Sequence, residues 1–274
     1  YGMSMFFSLY KIISKSLYGT GISKIFFIRK LHLKLTEYSK PEIIDVFGYK
    51  MFLDKQDDAC HSITTDQMTD ELKVLKKIIK KGDTVIDVGA NIGFYTLFFC
   101  SLVGKTGKII AFEPESKNFD ILKKNIEMNN LDNVTLHQKA VGSKNSKVKM
   151  KISDSIGSHQ ISNSGDIEVD CVKLDNYVIN ANFVKIDAEG YEVEILKGMS
   201  KILHQNITLM MEFNINLIKN HSDPIEFFNI LSQMNFKFQD MRNKFCETNG
   251  AKILMKYKNK SHVTDIMCTK NNYC

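Results

Sequence analysis

From Thr84 onward, short apolar runs alternate with segments of helical periodicity, and this alternation restricts the fold more than any other feature of the chain. Apolar strands joined by helical crossovers form a parallel sheet that helices cover on both faces. The sequence therefore predicts an α/β fold built on a mostly parallel sheet. The expected strands are 84–89, 108–113, 133–137, 183–187, 207–213, 235–240, 252–257 and 263–268, and the expected helices are 91–103, 115–129, 192–203 and a segment beginning at Asp223.

Smaller elements are expected before Thr84 and inside the alternating region. Residues 42–54 place two short apolar runs around a Phe-Gly-Tyr turn, which is typical of a β-hairpin. A helix follows, with Thr65 or Asp66 as its N-cap and Gly82 at its end. Residues 146–173, whose tip is rich in glycine and serine, are expected to form a hairpin insertion.

Residues 1–40 differ from the rest of the chain, because they combine apolar side chains with many Lys and Arg residues and a single acid, Glu37. They predict a basic amphipathic helical arm, with residues 41–274 as one domain. Packing of this arm on the domain or on a second subunit is favoured, and a helix lying on an anionic membrane surface is the alternative. No stretch is uncharged for ~18 residues, so a spanning helix is not expected.

The bulk composition narrows the class of protein. The chain has 274 residues, of which 43% are apolar, and a net charge of +6, which suits a globular protein with a substantial core. The six cysteines are scattered and form no C-x-x-C pair, which predicts reduced thiols in a cytoplasmic protein, with any membrane contact peripheral and through the arm. No RNA-binding signature occurs, so nucleic acid is not an expected partner.

The stretch VIDVGANIGFYT, residues 85–96, contains the first strand-to-helix turn of the alternating region. Ligands of such sheets bind at the carboxyl ends of the strands, where the strand order reverses. Glycines let a ligand approach the backbone closely, and Asn91 can cap the next helix. Glu113 ends the second strand, twenty residues after Gly93, and its carboxylate can accept both hydroxyls of a ribose. The turn and Glu113 together predict a nucleoside site.

The kind of nucleoside follows from the motifs that the chain lacks. A dinucleotide site would show G-x-G-x-x-G, but the three glycine positions read Gly89, Asn91 and Phe94. A P-loop would need a glycine at Phe99, five residues before the Gly104 that opens a GKT sequence, and this sequence ends a helix. A nucleoside without phosphates remains, and S-adenosylmethionine is the expected cofactor.

The stretches VIDVGANIGFYT, IIAFEPE, HQKAVG and FVKIDAEGYEVEILKG together resemble the FkbM family of S-adenosylmethionine-dependent methyltransferases, over roughly residues 70–215. The first stretch alone indicates only the wider Rossmann-like class, and its pairing with KIDAEGYE specifies the family. The resemblance implies a Rossmann-like class I methyltransferase fold with a mostly parallel seven-stranded sheet and helices on both faces. The basic arm and the β-hairpin would be additions to it.

The resemblance also implies which residues bind the cofactor. The glycine turn would wrap its methionine and ribose parts, Asp87 would support the turn, and Glu113 would hold the ribose hydroxyls. Thr96 would hydrogen-bond the cofactor's carboxylate or only pack. Gln138 would meet the adenine amino group or remain an exposed loop residue. The full set is Asp87, Gly89, Asn91, Gly93, Thr96, Glu113, Gln138 and Ala140.

Three acids, Asp187, Glu189 and Glu212, are the catalytic candidates, because the motif and the following strand place them at the same sheet edge. A hydroxyl that displaces the sulfonium methyl must lose a proton, and a carboxylate can accept it. His159, at the insertion tip, is the weaker candidate, since a lone loop histidine is usually solvated. No metal-ligand spacing is present, and no metal is predicted.

The expected function is O-methylation of a hydroxyl on a sugar, glycan or related small molecule, an acceptor class that comes from the resemblance alone. The alternative is a non-catalytic subunit with a methyltransferase fold that recruits a partner through its basic arm. A homo-oligomer is compatible with either function. N-methylation of nucleic acid or protein would call for a motif such as N-P-P-Y where DAEG, residues 187–190, stands.

Overall fold

A computed structural model describes residues 42–53, 69–153, 156–243, 246–258 and 263–270. The predicted arm, residues 1–40, and the predicted caps Thr65 and Asp66 lie outside the described residues. The strands are β1 (Ile43–Val46), β2 (Tyr49–Phe52), β3 (Thr84–Val88), β4 (Lys108–Phe112), β5 (Val134–His137), β6 (Ala140–Val141), β7 (Ser146–Lys151), β8 (Gln160–Ile161), β9 (Ile167–Val172), β10 (Phe183–Ile186), β11 (Thr208–Phe213), β12 (Lys237–Asp240), β13 (Cys246–Thr248) and β14 (Thr264–Thr269).

The helices mostly begin where a capping side chain satisfies the first free N–H groups. Glu115 caps α3, and Asp223 caps α7, the helix that the sequence predicted to begin there. Thr69 caps α1 in place of the predicted Thr65 or Asp66, and α1 ends at Ile78, before the predicted Gly82. The helices are α1 (Asp70–Ile78), α2 (Phe94–Val103), α3 (Ser116–Met128), α4 (Glu192–Lys197), α5 (Ser200–Leu203), α6 (Ile215–Ile218), α7 (Pro224–Gln233) and α8 (Gly250–Tyr257).

An eight-stranded sheet forms the centre of the fold, in the order β13-β12-β14-β11-β10-β3-β4-β5. The five neighbouring strands β5, β4, β3, β10 and β11 pair in parallel. Strand β14 runs antiparallel to both β11 and β12. This confirms the mostly parallel sheet, with the short β13 as an eighth strand at one edge. The chain order reverses between β3 and β10, so the carboxyl ends of these two strands mark the place where a ligand is expected.

Residues 252–257 were predicted as a strand, and this prediction is wrong, because they belong to α8. Asn249 caps the helix by accepting from the Lys252 N–H. Ile253 and Tyr257, its buried side chains, are four residues apart and lie on one face of the helix. The helix predicted over 192–203 is divided into α4 and α5 near Gly198, where a Cβ would lie 1.9 Å from the Gly142 carbonyl oxygen.

Two smaller sheets accompany the central one. Strands β1 and β2 form the predicted hairpin, with Phe47 and Gly48 at positive φ in the turn. The predicted hairpin insertion is part of a four-stranded sheet in the order β6-β9-β7-β8. Strands β7 and β9 pair antiparallel, as a hairpin requires, and β9 also pairs with β6 beside the main sheet. The insertion is therefore anchored next to the carboxyl end of β5.

The two faces of the central sheet are buried by different helices. Phe183 of β10 packs against Phe99 of α2, whereas Val184 and Ile186 face a cluster that includes Val193 of α4. This arrangement matches the prediction of a sheet covered on both sides. Within the described part of the chain, every helix is too short or too polar to span a bilayer.

Candidate active site

The turn after β3 requires glycine at its first position. Gly89 has φ +77°, and a Cβ there would lie 1.8 Å from the carbonyl oxygen of Asp187 on the neighbouring strand. The N–H groups of Gly89 and Ala90 both donate to the Phe112 carbonyl, each at 3.0 Å. The turn is thereby fixed between the ends of β4 and β10, and its backbone is left open toward the cavity that the turn lines.

Asn91 serves the turn and not the helix. Its backbone adopts φ +51°, and its side-chain oxygen accepts from the Ile92 N–H at 2.6 Å. The N-cap of α2 is Gly93, at φ +97°, so the predicted capping role of Asn91 is wrong. Gly93 does not line the cavity. The requirement for glycine there comes from packing, since a Cβ would lie 2.7 Å from the Leu122 side chain of α3.

Asp87 and Thr96 support the turn from inside the protein. Both are fully buried, and the Thr96 hydroxyl donates to Asp87 Oδ2 at 2.6 Å. This bond links the end of β3 to the first turn of α2, in keeping with the supporting role expected for Asp87. Thr96 does not line the cavity, and its hydroxyl is hydrogen-bonded to Asp87, so the structure favours its packing role, and contact with the cofactor stays a prediction.

Glu113, at the end of β4, presents a buried carboxylate to the same cavity. Its Oε2 accepts from the Asn91 N–H at 2.8 Å, and its Oε1 accepts from the Glu115 N–H at 2.9 Å. Each carboxylate oxygen can accept a further hydrogen bond. Burial raises the pKa of Glu113 to about 7, although the two backbone N–H groups lower it. A ligand that donates to this carboxylate would favour its ionised form.

The turn, Glu113 and the insertion enclose a cavity of about 330 Å³. Ala140 forms part of its wall, but the Gln138 side chain is exposed and lies outside the lining, which leaves the exposed-loop alternative for that residue. Four residues of the insertion also line the cavity, although the sequence analysis did not assign them to the cofactor site. They are Met150, Gly157, His159 and Ile161.

His159 is partly buried in this wall, and its Nδ1 accepts from the Ser153 N–H at 3.1 Å. Burial lowers the pKa of His159, which favours the neutral imidazole at neutral pH. Because Nδ1 is the acceptor of this bond, the neutral ring carries its proton on Nε2. His159 is therefore better suited to donate a hydrogen bond to a ligand than to accept a proton, and the structure does not strengthen its candidacy as the base.

The three predicted catalytic acids also line the cavity, at the ends of β10 and β11. Each of Asp187, Glu189 and Glu212 offers a carboxylate oxygen, and these atoms all lie within 4.8 Å of one another. Burial, reinforced by the Asp187 charge, raises the pKa of Glu189 to about 7, and the same two causes raise that of Glu212 well above its usual range. A single cation could contact all three oxygens, but the spacing alone assigns no metal ion.

Glu192 shapes the loop that carries Glu189. Its Oε1 accepts from the N–H groups of Ala188 and Gly190, both at 3.1 Å. Glu192 is 1% exposed and does not line the cavity. It therefore holds the 188–190 backbone in place, with Glu189 at φ +50°, a conformation that few residues other than glycine adopt.

The family model for the methyltransferase FkbM domain matches residues 87–251. The chain belongs to the FkbM family of S-adenosylmethionine-dependent methyltransferases. The match begins at Asp87, includes the glycine turn, Glu113 and the acids, and ends in α8. The predicted family, cofactor and Rossmann-like class I fold are therefore confirmed.

Two relatives and one solved structure show how far the FkbM chain resembles known proteins. It is 27% identical over 171 residues to the hexuronic acid methyltransferase AglP of Haloferax volcanii, a match that spans 60% of this chain and 67% of the relative. It is 25% identical over 146 residues to methyltransferase 1 of Beauveria bassiana, spanning 42% of this chain and 57% of the relative. A SAM-dependent methyltransferase from Aquifex aeolicus is 15% identical, with a TM-score of 0.45, over 77% of this chain and 96% of that one.

The cavity of this FkbM chain fits S-adenosylmethionine on structural grounds. Glu113 presents two hydrogen-bond acceptors at one place, Gly89 leaves backbone accessible, and Ala140, Val141 and Ile161 form apolar walls. A ribose needs hydrogen-bond acceptors such as those of Glu113, and an adenine ring needs apolar walls. The acids at the ends of β10 and β11 suit a cationic sulfonium better than an anionic phosphate, in agreement with the rejection of dinucleotides and ATP.

Lys185 is the residue of this site that sequence reasoning missed. It lies within the buried strand β10, is 3% exposed, and donates to Asp187 Oδ2 at 3.0 Å. The sequence did contain a signal for it. A lysine in the middle of an apolar strand indicates a buried ion pair, because lysine is almost never buried unless it is paired. Its position two residues before Asp187 also places both side chains on the same face of the strand.

Proposed function

We propose that the protein methylates a hydroxyl group of a sugar, glycan or related small-molecule acceptor. The observation that carries the proposal is the presence in one cavity of an acceptor for ribose hydroxyls, Glu113, and of a cluster of carboxylates, Asp187, Glu189 and Glu212. The first suits the cofactor and the second suits an acceptor hydroxyl that must lose a proton. Both sets lie at the same edge of the central sheet, with Glu113 after β4, the acids at the ends of β10 and β11, and β3 between them.

S-adenosylmethionine supplies a methyl group on a sulfonium, which is already a strong electrophile. The protein therefore contributes mainly by holding the acceptor oxygen in line with that methyl group, and by accepting its proton. Glu189 is the best-matched base, because its pKa of about 7 lies near the working pH. Glu212, whose pKa is raised much further, stays protonated at that pH and can donate a hydrogen bond to the acceptor.

The relative AglP supports the sugar part of the proposal, since its name describes a hexuronic acid methyltransferase. The structure favours a hydroxyl over a carboxylate as the methylated group here. Among the described residues, the acceptor end of the cavity is lined by three acids, which would repel an anionic acceptor. A neutral polyol can instead donate its hydroxyl protons to Asp187 and Glu189 and accept a hydrogen bond from the protonated Glu212 carboxyl.

The proposal is tested by incubating the protein with S-adenosylmethionine labelled on its methyl group and a cell extract, which is then split into lipid, glycan and small-molecule fractions. Label in a glycan or small-molecule fraction, as an ether that survives mild alkali, is the expected result. Label released by mild alkali would identify a methyl ester and refute O-methylation of a hydroxyl. A Glu189→Gln sample serves as the control for non-enzymatic transfer.

A non-catalytic subunit that recruits a partner is the competing function, and calorimetry with transfer assays separates the two. Tight cofactor binding without transfer to any fraction would favour the subunit. In either case we propose that the basic arm, residues 1–40, contacts an anionic membrane surface or a second copy of the chain. Removal of residues 1–40 should leave cofactor affinity unchanged and reduce methylation of the native acceptor or change the oligomeric state. A truncated protein with unaltered activity and mass would contradict this role.

A further inference from the structure

Two pairs of polar side chains lie in register on adjacent strands of the central sheet, close to the carboxylate cluster. Asp87 of β3 is in register with Lys185 of β10, and Glu212 of β11 is in register with Asp265 of β14. Side chains in register across a sheet lie on the same face, which here is the face covered by α1 and α2. Lys185 is the single Lys or Arg among the buried side chains that the structure describes.

The contacts of Lys185 hold its ammonium in one place. Nζ lies 3.0 Å from Asp187 Oδ2 and 4.6 Å from the centroid of the Tyr95 ring, whose hydroxyl donates to Glu71 of α1. The side chain is 4% exposed, and it does not line the cavity, whereas the Asp187 side chain is 39% exposed and does. Lys185 therefore lies behind Asp187, on the side away from the cavity.

Acids surround this ammonium from several elements. Burial alone would lower the pKa of Lys185, but the charges of Asp187 and Asp87 outweigh it and raise the pKa above its usual range. A buried ion pair of this kind costs desolvation energy, and removing one partner leaves an uncompensated charge. The titratable groups that interact with Lys185 or with its partners include Glu71 of α1, Asp87 of β3, Tyr95 and Cys100 of α2, Glu113 after β4, Asp187 and Glu189 of the loop after β10, Glu192 of α4, Glu212 of β11, Asp265 of β14 and a second cation, Arg242, beside Asp265.

We propose that Lys185 is a positioning residue, whose ammonium fixes the Asp187 carboxylate at the cavity edge and supplies the positive charge that lets three acids face one acceptor. On this proposal the cluster works without a bound divalent cation, because the protein's own cation compensates it. The inference rests on the proposed function, and it adds that Lys185 acts through Asp187 and does not touch the acceptor.

The test compares Lys185→Met and Lys185→Arg with a matched surface control, Lys197→Met. Lys197 forms ion pairs of 2.9 and 2.8 Å with Glu194 and Glu226, and it lies outside the cavity lining. We expect Lys185→Met to lower kcat on the order of 10²-fold with little change in the cofactor Kd. Lys185→Arg should recover at least about tenfold of the loss, because the charge is restored. Lys197→Met should behave as the wild type.

Two readouts separate positioning from a merely structural role. In Lys185→Met the acid limb of the rate profile should move to higher pH, since the Lys185 charge lowers the pKa of Glu189. The double variant Lys185→Met/Asp187→Asn should be no slower than Asp187→Asn alone, because both changes remove the same arrangement. Additive losses, or an unshifted acid limb, would overturn the proposal.

A chelation assay on the wild type tests the metal-independent part of the proposal even where Lys185→Met does not fold. Activity should survive EDTA and show no requirement for added Mg²⁺, and loss on chelation with recovery on Mg²⁺ would overturn the proposal. Failure of the proposed function is distinct from these outcomes, because it appears as a wild-type protein that transfers no methyl group at all. In that case the pH dependence of unfolding, compared between Lys185→Met and Lys197→Met, still reports whether Lys185 compensates the acids.

Discussion

The two ends of the cavity hold their carboxylates in position in different ways. Glu113 is a buried carboxylate whose two oxygens accept backbone N–H groups, from Asn91 and Glu115. Asp187, at the other end, is held by a buried ammonium, and Glu189 and Glu212 lie beside it. Backbone donors fix a geometry without adding charge, whereas an ion pair adds a charge that neighbouring acids sense.

This difference suits the two ends to different tasks. The Glu113 end has local, short-range support, so it can bind an invariant group such as a ribose with constant geometry. The Asp187 end couples several titratable groups, so its protonation state responds to a bound acceptor and to pH. We therefore expect substitutions at the first end to change affinity and substitutions at the second end to change turnover and its pH dependence.

The largest effect is expected at Glu189. Replacement by Gln keeps the size of the side chain and removes the proposed base, so kcat should fall on the order of 10²- to 10⁴-fold. The wild-type kcat/KM should rise with pH through about 7, because the Glu189 carboxyl must ionise to accept a proton. Initial rates of methyl transfer between pH 5.5 and 9 measure the fall in kcat and the pH dependence of kcat/KM. Cofactor affinity should not change. A variant with wild-type turnover would transfer the role of base to Asp187.

The second effect concerns Glu113. We expect Glu113→Ala to weaken cofactor binding by about 1–3 kcal/mol, because two ribose hydroxyls lose a charged acceptor. In the wild type, affinity should increase as pH rises through about 7, since the ionised carboxylate is the better acceptor and its pKa is raised to that value by burial. Calorimetry at pH 6 and pH 8 measures both changes.

Glu168→Ala provides the matched control for Glu113→Ala. Glu168 is an exposed acid of β9 that pairs with Lys147 at 3.2 Å and lies outside the cavity. Its loss should leave affinity unchanged. A Glu113→Ala protein that folds normally and binds the cofactor as tightly as this control would remove Glu113 from the site.

The first end of the cavity could be predicted from the sequence because its contacts are local. The turn from Gly89 to Gly93 and Glu113 follow two successive strands of the alternating region, and the positions of glycines and acids at strand ends carry the information. What could not be predicted there is the direction of individual side chains. Asn91 was expected to cap α2, but its backbone adopts a positive φ and its amide remains in the turn.

The second end could be predicted only in part, because its partners come from distant parts of the chain. Asp187 and Glu212 follow from the strand ends, but Lys185 has partners on β3, α2 and β14 that depend on the order of strands in the sheet. Asp265 enters the cluster only through the antiparallel register of β14 with β11. A sequence pattern specifies which residues are buried, and it does not specify which strand lies beside them.

A smaller effect is expected on stability, and it again involves Glu189. Burial raises its folded-state pKa from the ordinary 4.5 to about 7, so the stability that it contributes is fully present below about pH 4.5 and is lost as pH rises through about 7. The Gln variant avoids this loss. It should be more stable than the wild type by about 1 kcal/mol at pH 8, a value reduced for partial solvent screening, with the advantage vanishing at pH 4. Urea unfolding at both pH values measures the difference, and an equal advantage at both would contradict the shift.

The smallest effect is expected at Gln138, and it tests whether this side chain contacts the adenine ring. The sequence left two roles for this residue, contact with the adenine amino group or an exposed loop position. The side chain is exposed and outside the cavity, while Lys139 and Ala140 line it. Because exposed substitutions usually change free energies by less than about 0.5 kcal/mol, Gln138→Ala should change the cofactor Kd by less than about twofold.

Ala140→Leu is the informative counterpart to Gln138→Ala, because Ala140 is 3% exposed and forms part of the cavity wall. The larger side chain should intrude on the space for the adenine ring and weaken cofactor binding at least tenfold, roughly the 1–3 kcal/mol cost of overpacking. Calorimetry on the two variants compares positions on either side of Lys139, of which one is exposed and the other lines the cavity. If Gln138→Ala weakened binding tenfold while Ala140→Leu did not, the adenine would lie on the outer side of this loop, and the first end of the cavity would have to be redrawn around Gln138.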